Sequence, residues 1–362
     1  MKKVLAISAA IILASCSSEE KPAEGGIVNE TSIERSFFAK GADISWITQM
    51  EADGIKFYNS AGQETECTAV MKETGVNSIR LRVWVDPKDG WCAKEDVLAK
   101  AKRAQEAGMK IMIDFHYSDT WADPGNQKTP AAWSGYTIPE LAEAVYAHTK
   151  EALAILKDNG IDVEWVQIGN ETDSGMLHPL GNISNEGNIQ NFAKLFNAGA
   201  RAAEEIYGDA DIILHRSNGH DSGGFSWFLN IARSQNLNYD IIGMSLYPSW
   251  WENGGYTSWE KNTRSCMENI RSSAKTYGKP VMICEFGMPV SEPEMAKEAL
   301  EFILGEAKEM KELHGIFYWE PEVYGGWKPA DYESLGWSSY DKGAFKDGKP
   351  TAALEPFKQT IQ

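Results

Sequence analysis

Residues 163–172 read VEWVQIGNET. The apolar run VEWVQI passes through Gly169 and Asn170 and stops on the carboxylate of Glu171. The run is short enough for a strand and lacks the polar alternation of a sheet with one wet face. It therefore reads as a strand covered on both faces. Seven more stretches share the pattern, at residues 37–45, 76–85, 109–117, 211–217, 240–247, 280–287 and 315–321. Helical patterns separate them, at 64–74, 94–107, 138–158, 188–207, 223–236, 257–277 and 292–312, with a last helix near 351–361. Several helices end at a Gly ahead of the next strand, as in ETGVN, EAGMK, DNGID and TYGKP. That is the C-cap chemistry of a helix-to-strand turn. Eight strand–helix units predict an α/β fold, a (β/α)8 TIM barrel in a single domain. A doubly wound open sheet is the alternative, but it often brings a Gly-rich phosphate loop, and none follows the first strand.

The barrel would occupy residues 37–362. Ahead of it stands a targeting segment. Lys2 and Lys3 precede the apolar stretch VLAISAAIILA, which is too short to span a bilayer with comfort. LASC then sets Cys16 where cleavage would fall, and residues 1–16 resemble a lipoprotein signal peptide ending at a lipidated Cys16. An ordinary secretory signal that happens to contain a Cys is the plainer alternative. Residues 17–36 read as a polar, flexible tether. Acidic residues directly after Cys16 resemble the surface-export signal of Bacteroidetes lipoproteins. An outer-membrane lipoprotein on the surface of a Gram-negative cell is expected, touching the membrane only through its lipid.

A net charge of -17 repels polyanions, so nucleic acid, anionic membrane faces and polygalacturonate are poor partners. A neutral substrate fits better. Thirteen Trp is many for 362 residues, and stacking on sugar rings would use some that packing does not. Four cysteines follow Cys16 at 67, 92, 266 and 284, without zinc-site spacing. An exported chain permits disulfides, and Cys67 with Cys92, flanking one strand–helix unit, is the expected bridge. Cys284, inside an apolar strand, reads as a small core residue.

Active sites of such barrels lie at the C-terminal ends of the strands. Polar residues gather there: Asp43 on the first strand, Arg80 and Arg82 on one face of the second, then His116, Tyr117 and Asp119 after the third. Asn170 and Glu171 end the fourth, His215 the fifth, Tyr247 the sixth, Glu285 the seventh, and Trp319 with Glu320 the eighth. Any one of these could merely face solvent or close an ion pair. Two Glu on separate strands, ringed by Arg, His, Tyr and Trp, point to catalysis. Paired carboxylates across a neutral pocket suit glycoside cleavage, one donating a proton and the other attacking the anomeric carbon. Glu171, beside an amide and aromatics, would hold its proton. Glu285, within reach of an Arg and the Tyr247 hydroxyl, would stay charged. Asn170 would donate to the sugar 2-hydroxyl, and Trp319 would floor the cleavage point. The loop PSWWENGGYTSW adds Trp250 as a sugar contact, and Trp327 and Trp337 would border the cleft.

GNE and CEFG resemble the strand ends of clan A retaining glycosidases. GADIS, IRLRVWVDP, DFHYSDTWADPGNQKTPAAW, VQIGNE and MLHPLGN resemble, more narrowly, glycoside hydrolase family 53, the endo-β-1,4-galactanases. The resemblance runs from Phe37 to the C-terminus. It implies Glu171 as acid/base, Glu285 as nucleophile, and Asp43, His116, Asp119, Trp121 and Trp133 along the cleft, with Arg80 favoured for the clan's strand-two position. It also implies β-1,4-galactan and galacto-oligosaccharides as partners, the galactan of type I arabinogalactan and pectic side chains. A monomer is expected. LHPLG sets His178 where the family often has Trp, which touches one stacking platform. Some bacterial members carry a calcium-binding Asp-rich insertion after the seventh strand. It is missing here, so no calcium is expected from that source, and no metal or organic cofactor is needed. A clan A mannanase or cellulase, or a non-catalytic lipoprotein that captures glycans, are the competing functions.

Overall fold

The computed structural model describes residues 33–250, 252, 254–324, 326–329 and 342–361. The expected signal segment with Cys16, the tether as far as residue 32, and Trp337 lie outside the described residues. Ile33–Gln362 form one compact unit.

Eight strands close into a barrel: β1 (Ala39–Asp43), β2 (Ser78–Val83), β3 (Lys110–Phe115), β4 (Trp165–Ile168), β5 (Asp211–Arg216), β6 (Ile241–Leu246), β7 (Val281–Phe286) and β8 (Leu313–Trp319). Each pairs in parallel with its neighbour, and β8 closes onto β1. Among the described residues, eight α-helices connect them, two between β1 and β2 and one in each later connection: α1 (Ile47–Ala52), α2 (Cys67–Glu73), α3 (Lys94–Glu106), α4 (Ile138–Asp158), α5 (Ile189–Ile206), α6 (Ser222–Ser234), α7 (Trp259–Tyr277) and α8 (Pro293–Ala307). The predicted barrel is the observed fold. Local chemistry sets several boundaries. Glu66 caps α2 by accepting from the Thr68 and Ala69 N–H groups, and Thr137 with Glu140 forms a capping box on α4. Two elements differ from expectation. The six residues of α1 are too few to show a period. The expected last helix is a 3-10 stretch, Ala352–Lys358, with Pro356 inside it, where a missing N–H and the ring disfavour an α-helix.

The strands' outward residues pack against the helices, while their inward residues change character along the barrel axis. Ala39, Met112, Trp165, Ile213, Ile241, Met282, Cys284 and Phe317 form a separate buried apolar cluster. It fills the barrel so tightly that a Cβ on Gly41 would stand 2.1 Å from the Phe317 ring. Steps of two residues keep the same face of a strand. Those steps carry Met112 to Asp114, Trp165 to Gln167, Ile213 to His215 and Ile241 to Ser245. The floor is apolar and the mouth is polar.

The expected Cys67–Cys92 bridge is absent, because both thiols are free and buried. The Cys92 sulfur faces the Ser45 carbonyl at 3.7 Å, while Cys67 opens α2 within the outer core. Each fills its own packing site as a small apolar group. Cys284 does the same inside the barrel.

Candidate active site

Arg80 organises the base of the mouth. Only 1% exposed, it meets Asp43 at 2.8 Å, Asp114 at 2.9 Å and Glu285 at 3.1 Å. Its guanidinium also donates to Asn170 Oδ1 at 2.8 Å and to Gln167 Oε1 at 3.2 Å. Burial works to lower the Arg80 pKa, but Asp114, Glu285 and Asp43 raise it further, so the cation persists. Arg82, two residues on, pairs with Glu320 at 2.5 Å and lies over the Trp46 ring at 4.1 Å.

Above this base opens a cavity of about 390 Å³. Glu171 and Glu285 both line it, with Trp121, Tyr247, Trp250 and Trp319. Glu285 reaches this position through an irregularity. The β6–β7 register shifts after Met244, so Ser245 pairs with Glu285 where Cys284 would follow in sequence. Such shifts re-aim side chains beside functional sites. Tyr247 donates its hydroxyl to Glu285 Oε2 at 2.7 Å. The Tyr247 phenol is pushed well above its usual pKa by burial and by Glu285, so it stays a donor.

The carboxylates have different surroundings. Burial pushes both pKa values up. For Glu285, Arg80 and the Tyr247 hydroxyl oppose the rise. For Glu171, the charges of Glu285 and Asp173 add to burial and only the Ser245 hydroxyl offsets them. Of the two, Glu171 is therefore the carboxyl whose surroundings favour the protonated form more.

The remaining expected residues divide into three groups. His116 lines the cavity, accepting from the Ala122 N–H at 3.0 Å and facing Asp114 at 2.9 Å, which fixes its proton on Nε2. Asn170 lines it too, anchored by its Nδ2 donating to the Ala122 carbonyl at 2.8 Å. Trp250 stands 38% exposed, with its ring 4.6 Å from that of Tyr247. Asp43 lies underneath and acts on the cavity through Arg80. Three residues expected at the cleft do not line this cavity. Asp119 accepts from the Asp86 and Ala131 N–H groups at 3.2 and 2.8 Å, tying two loops together beside a small hollow with Trp84 and Trp91. Trp133 turns inward and packs edge-on against His148. Trp327 donates to Asp53 at 2.8 Å and packs on Trp46, behind the cavity-lining Trp121. His178 supports a loop, its N–H donating to the Gln127 carbonyl at 2.7 Å.

Several site residues escaped the sequence reading. Asp114 and Gln167 were visible as polar residues inside apolar runs, on the inward parity of their strands. Ser245 shares that parity. Asp123, Asn218 and His220 line the cavity from loops, where no period marks them. Among the described residues, no group of three or more His, Cys, Asp or Glu is arranged to hold a metal.

The model of glycosyl hydrolase family 53 matches residues 39–310. The arabinogalactan endo-β-1,4-galactanase A of Emericella nidulans is 35% identical over 83% of this chain and 88% of its own. The endo-β-1,4-galactanase of Bacillus subtilis is 29% identical over 93% of this chain and 85% of its own. A solved fungal β-1,4-galactanase superposes with a TM-score of 0.77 at 29% identity, covering 89% of this chain and 99% of that one. With a barrel of the same architecture and two carboxylates at its mouth, this chain belongs to glycosyl hydrolase family 53.

Proposed function

We propose that the protein is a retaining endo-β-1,4-galactanase acting on the galactan of type I arabinogalactan and pectic side chains. The observation that carries the mechanism is the unequal pair: Glu285 beside Arg80 and Tyr247, Glu171 beside further carboxylates. In the first step Glu285 attacks the anomeric carbon. The glycosidic bond breaks, and Glu171 gives its proton to the departing oxygen. In the second step Glu171 takes a proton from water, the water oxygen bonds to the anomeric carbon, and the Glu285 ester is released. Asn170 has one amide hydrogen beyond its bond to Ala122, and this would meet the sugar 2-hydroxyl. Trp319 and Trp250 offer stacking faces, and the acidic surface suits a neutral polymer. The relatives named as galactanases support the substrate.

The test incubates the protein with linear β-1,4-galactan, β-mannan and carboxymethylcellulose and sizes the products over time. Rapid loss of galactan length alone, with a first product of β configuration by proton NMR, is expected. Preferential cutting of mannan or cellulose would replace the substrate. Binding of galactan without cleavage would make the protein a capture lipoprotein instead. We propose further that Cys16 carries the lipid and holds a monomer on the outer cell surface. Palmitate labelling lost in Cys16→Ala, and cells cutting external galactan before lysis, are the expected results.

A further inference from the structure

Glu171 sits on backbone with φ +44°. An L-residue with a side chain of this size seldom adopts that left-handed conformation, and it persists only where the surroundings hold it. Here both sides of the residue are held. On one side, the Glu171 N–H donates to His215 Nδ1 at 3.3 Å. On the other, Gln127 Nε2 stands 2.8 Å from the Asn170 carbonyl, 3.1 Å from the Asp123 carbonyl and 3.2 Å from the Glu171 carbonyl, its two hydrogens shared among the three and so binding the peptide on each side of Glu171 to the loop. Neither holder is free to wander. Gln127 is 4% exposed and His215 is fully buried. The His215 carbonyl accepts from both the N–H and the hydroxyl of Thr172, at 2.9 and 3.0 Å, which locks the next residue as well. The imidazole has one consistent tautomer. Asn170 Oδ1 already accepts from Arg80 and Gln167, so His215 Nδ1 is left to receive the Glu171 N–H. Nε2 then carries the proton toward Ser245 Oγ at 2.9 Å. Burial and the neighbouring Arg80 keep the ring neutral, as an acceptor at Nδ1 requires.

We propose that Gln127 and His215 are positioning residues for Glu171, clamping its peptide from both sides so that its carboxyl group points at the leaving-group oxygen. Neither lines the cavity. Released from the clamp, the backbone at 171 relaxes toward negative φ, and that rotation swings the carboxyl off its line. Proton donation then fails, while the nucleophile keeps its own contacts with Arg80 on β2 and Tyr247 just past β6.

The proposal rests on Glu171 being the acid, and leaving-group chemistry tests it apart from the choice of polymer. Gln127→Met keeps the volume and removes the donor. Wild type and variant are compared on aryl β-1,4-galactobiosides with 2,4-dinitrophenol and 4-methoxyphenol as leaving groups. The first needs no proton to depart and the second does. The expected kcat/KM loss is about 100-fold for methoxyphenol and within about threefold for dinitrophenol. A general structural role would lower both equally. Equal losses, or no loss on either substrate in a variant that melts like wild type, would overturn the clamp. If Gln127→Met does not fold, His215→Gln, which keeps a polar atom toward Ser245 and removes the Nδ1 acceptor, is carried through the same comparison. A wild type that cuts another β-glycan sinks the galactan assignment alone, and the clamp is then measured on aryl glycosides of that sugar.

Discussion

Glu285 and Glu171 face the same cavity from β7 and from the end of β4, yet their neighbours have opposite character. On the β7 side a buried cation and a phenol stand 3.1 and 2.7 Å from the carboxylate. On the β4 side the nearby charges are carboxylates, Asp173 and Asp123 as well as Glu285 itself. Their backbones differ too. Glu285 lies in a strand, aimed by a register shift, whereas Glu171 sits just beyond one, in a left-handed turn. These opposite surroundings are what the proposed division into an attacking group and a proton carrier rests on.

The largest expected effect comes from the β7 side. Glu285→Gln keeps the shape, an acceptor toward Arg80 and a polar group toward Tyr247, but cannot form the ester. Galactan hydrolysis, followed as new reducing ends, should fall about 10⁴-fold or more while the melting temperature stays near wild type. Substantial activity surviving in a folded Glu285→Gln protein would break the assignment of roles.

Removing the β4 carboxyl should cost less. Glu171→Ala is expected to lose about 10²–10⁴-fold on polymer, the range of general acid–base catalysis. Azide then separates the two ends of the cavity. With an activated aryl β-galactobioside, azide should rescue Glu171→Ala and give a β-configured glycosyl azide, because it replaces water in the second of two inversions. In Glu285→Ala azide replaces the nucleophile itself, and the product should be the α-azide. Exchanged anomers would exchange the roles.

Much of this contrast is legible in the sequence. Period and C-cap glycines located all eight strands, because buried parallel strands carry their pattern locally. Strand ends such as Glu171, Glu285 and Tyr247 were found because the fold says where to look. Residues whose job depends on three-dimensional aim were not. Asp119 and Trp133 lie in a stretch that borders the cleft, but one ties loops and the other turns to His148. Their neighbour Trp121 does line the cavity, and nothing in the spacing separates the three. Gln127 sits in the same loop without any period to mark it. Cys67 and Cys92 flank one unit, yet closeness in sequence did not bring the sulfurs to a bridge. The β6–β7 register shift leaves no trace in composition at all.

The smallest effect concerns stability and has a definite sign. Burial and nearby carboxylates raise the Glu171 pKa in the folded protein above its unfolded value. A group of this kind contributes stability that is fully present below the unfolded pKa and lost as pH rises through the folded one. Above the folded pKa the protein therefore bears the cost of an ionised, buried Glu171. Glu171→Gln removes that cost, so the variant should melt higher than wild type at pH 8, by roughly 1–3 °C for a chain of this length. The gain should shrink as the pH is lowered and the wild-type carboxyl takes up its proton. Glu285→Gln should show a smaller gain or a loss, since it also takes a carboxylate from Arg80, leaving it Asp43 and Asp114. Melting curves of the three proteins between pH 4 and 8 give the comparison directly. If Glu171→Gln melted lower than wild type at pH 8, the buried charge would be compensated, and Glu171 would not be the carboxyl whose surroundings favour the protonated form.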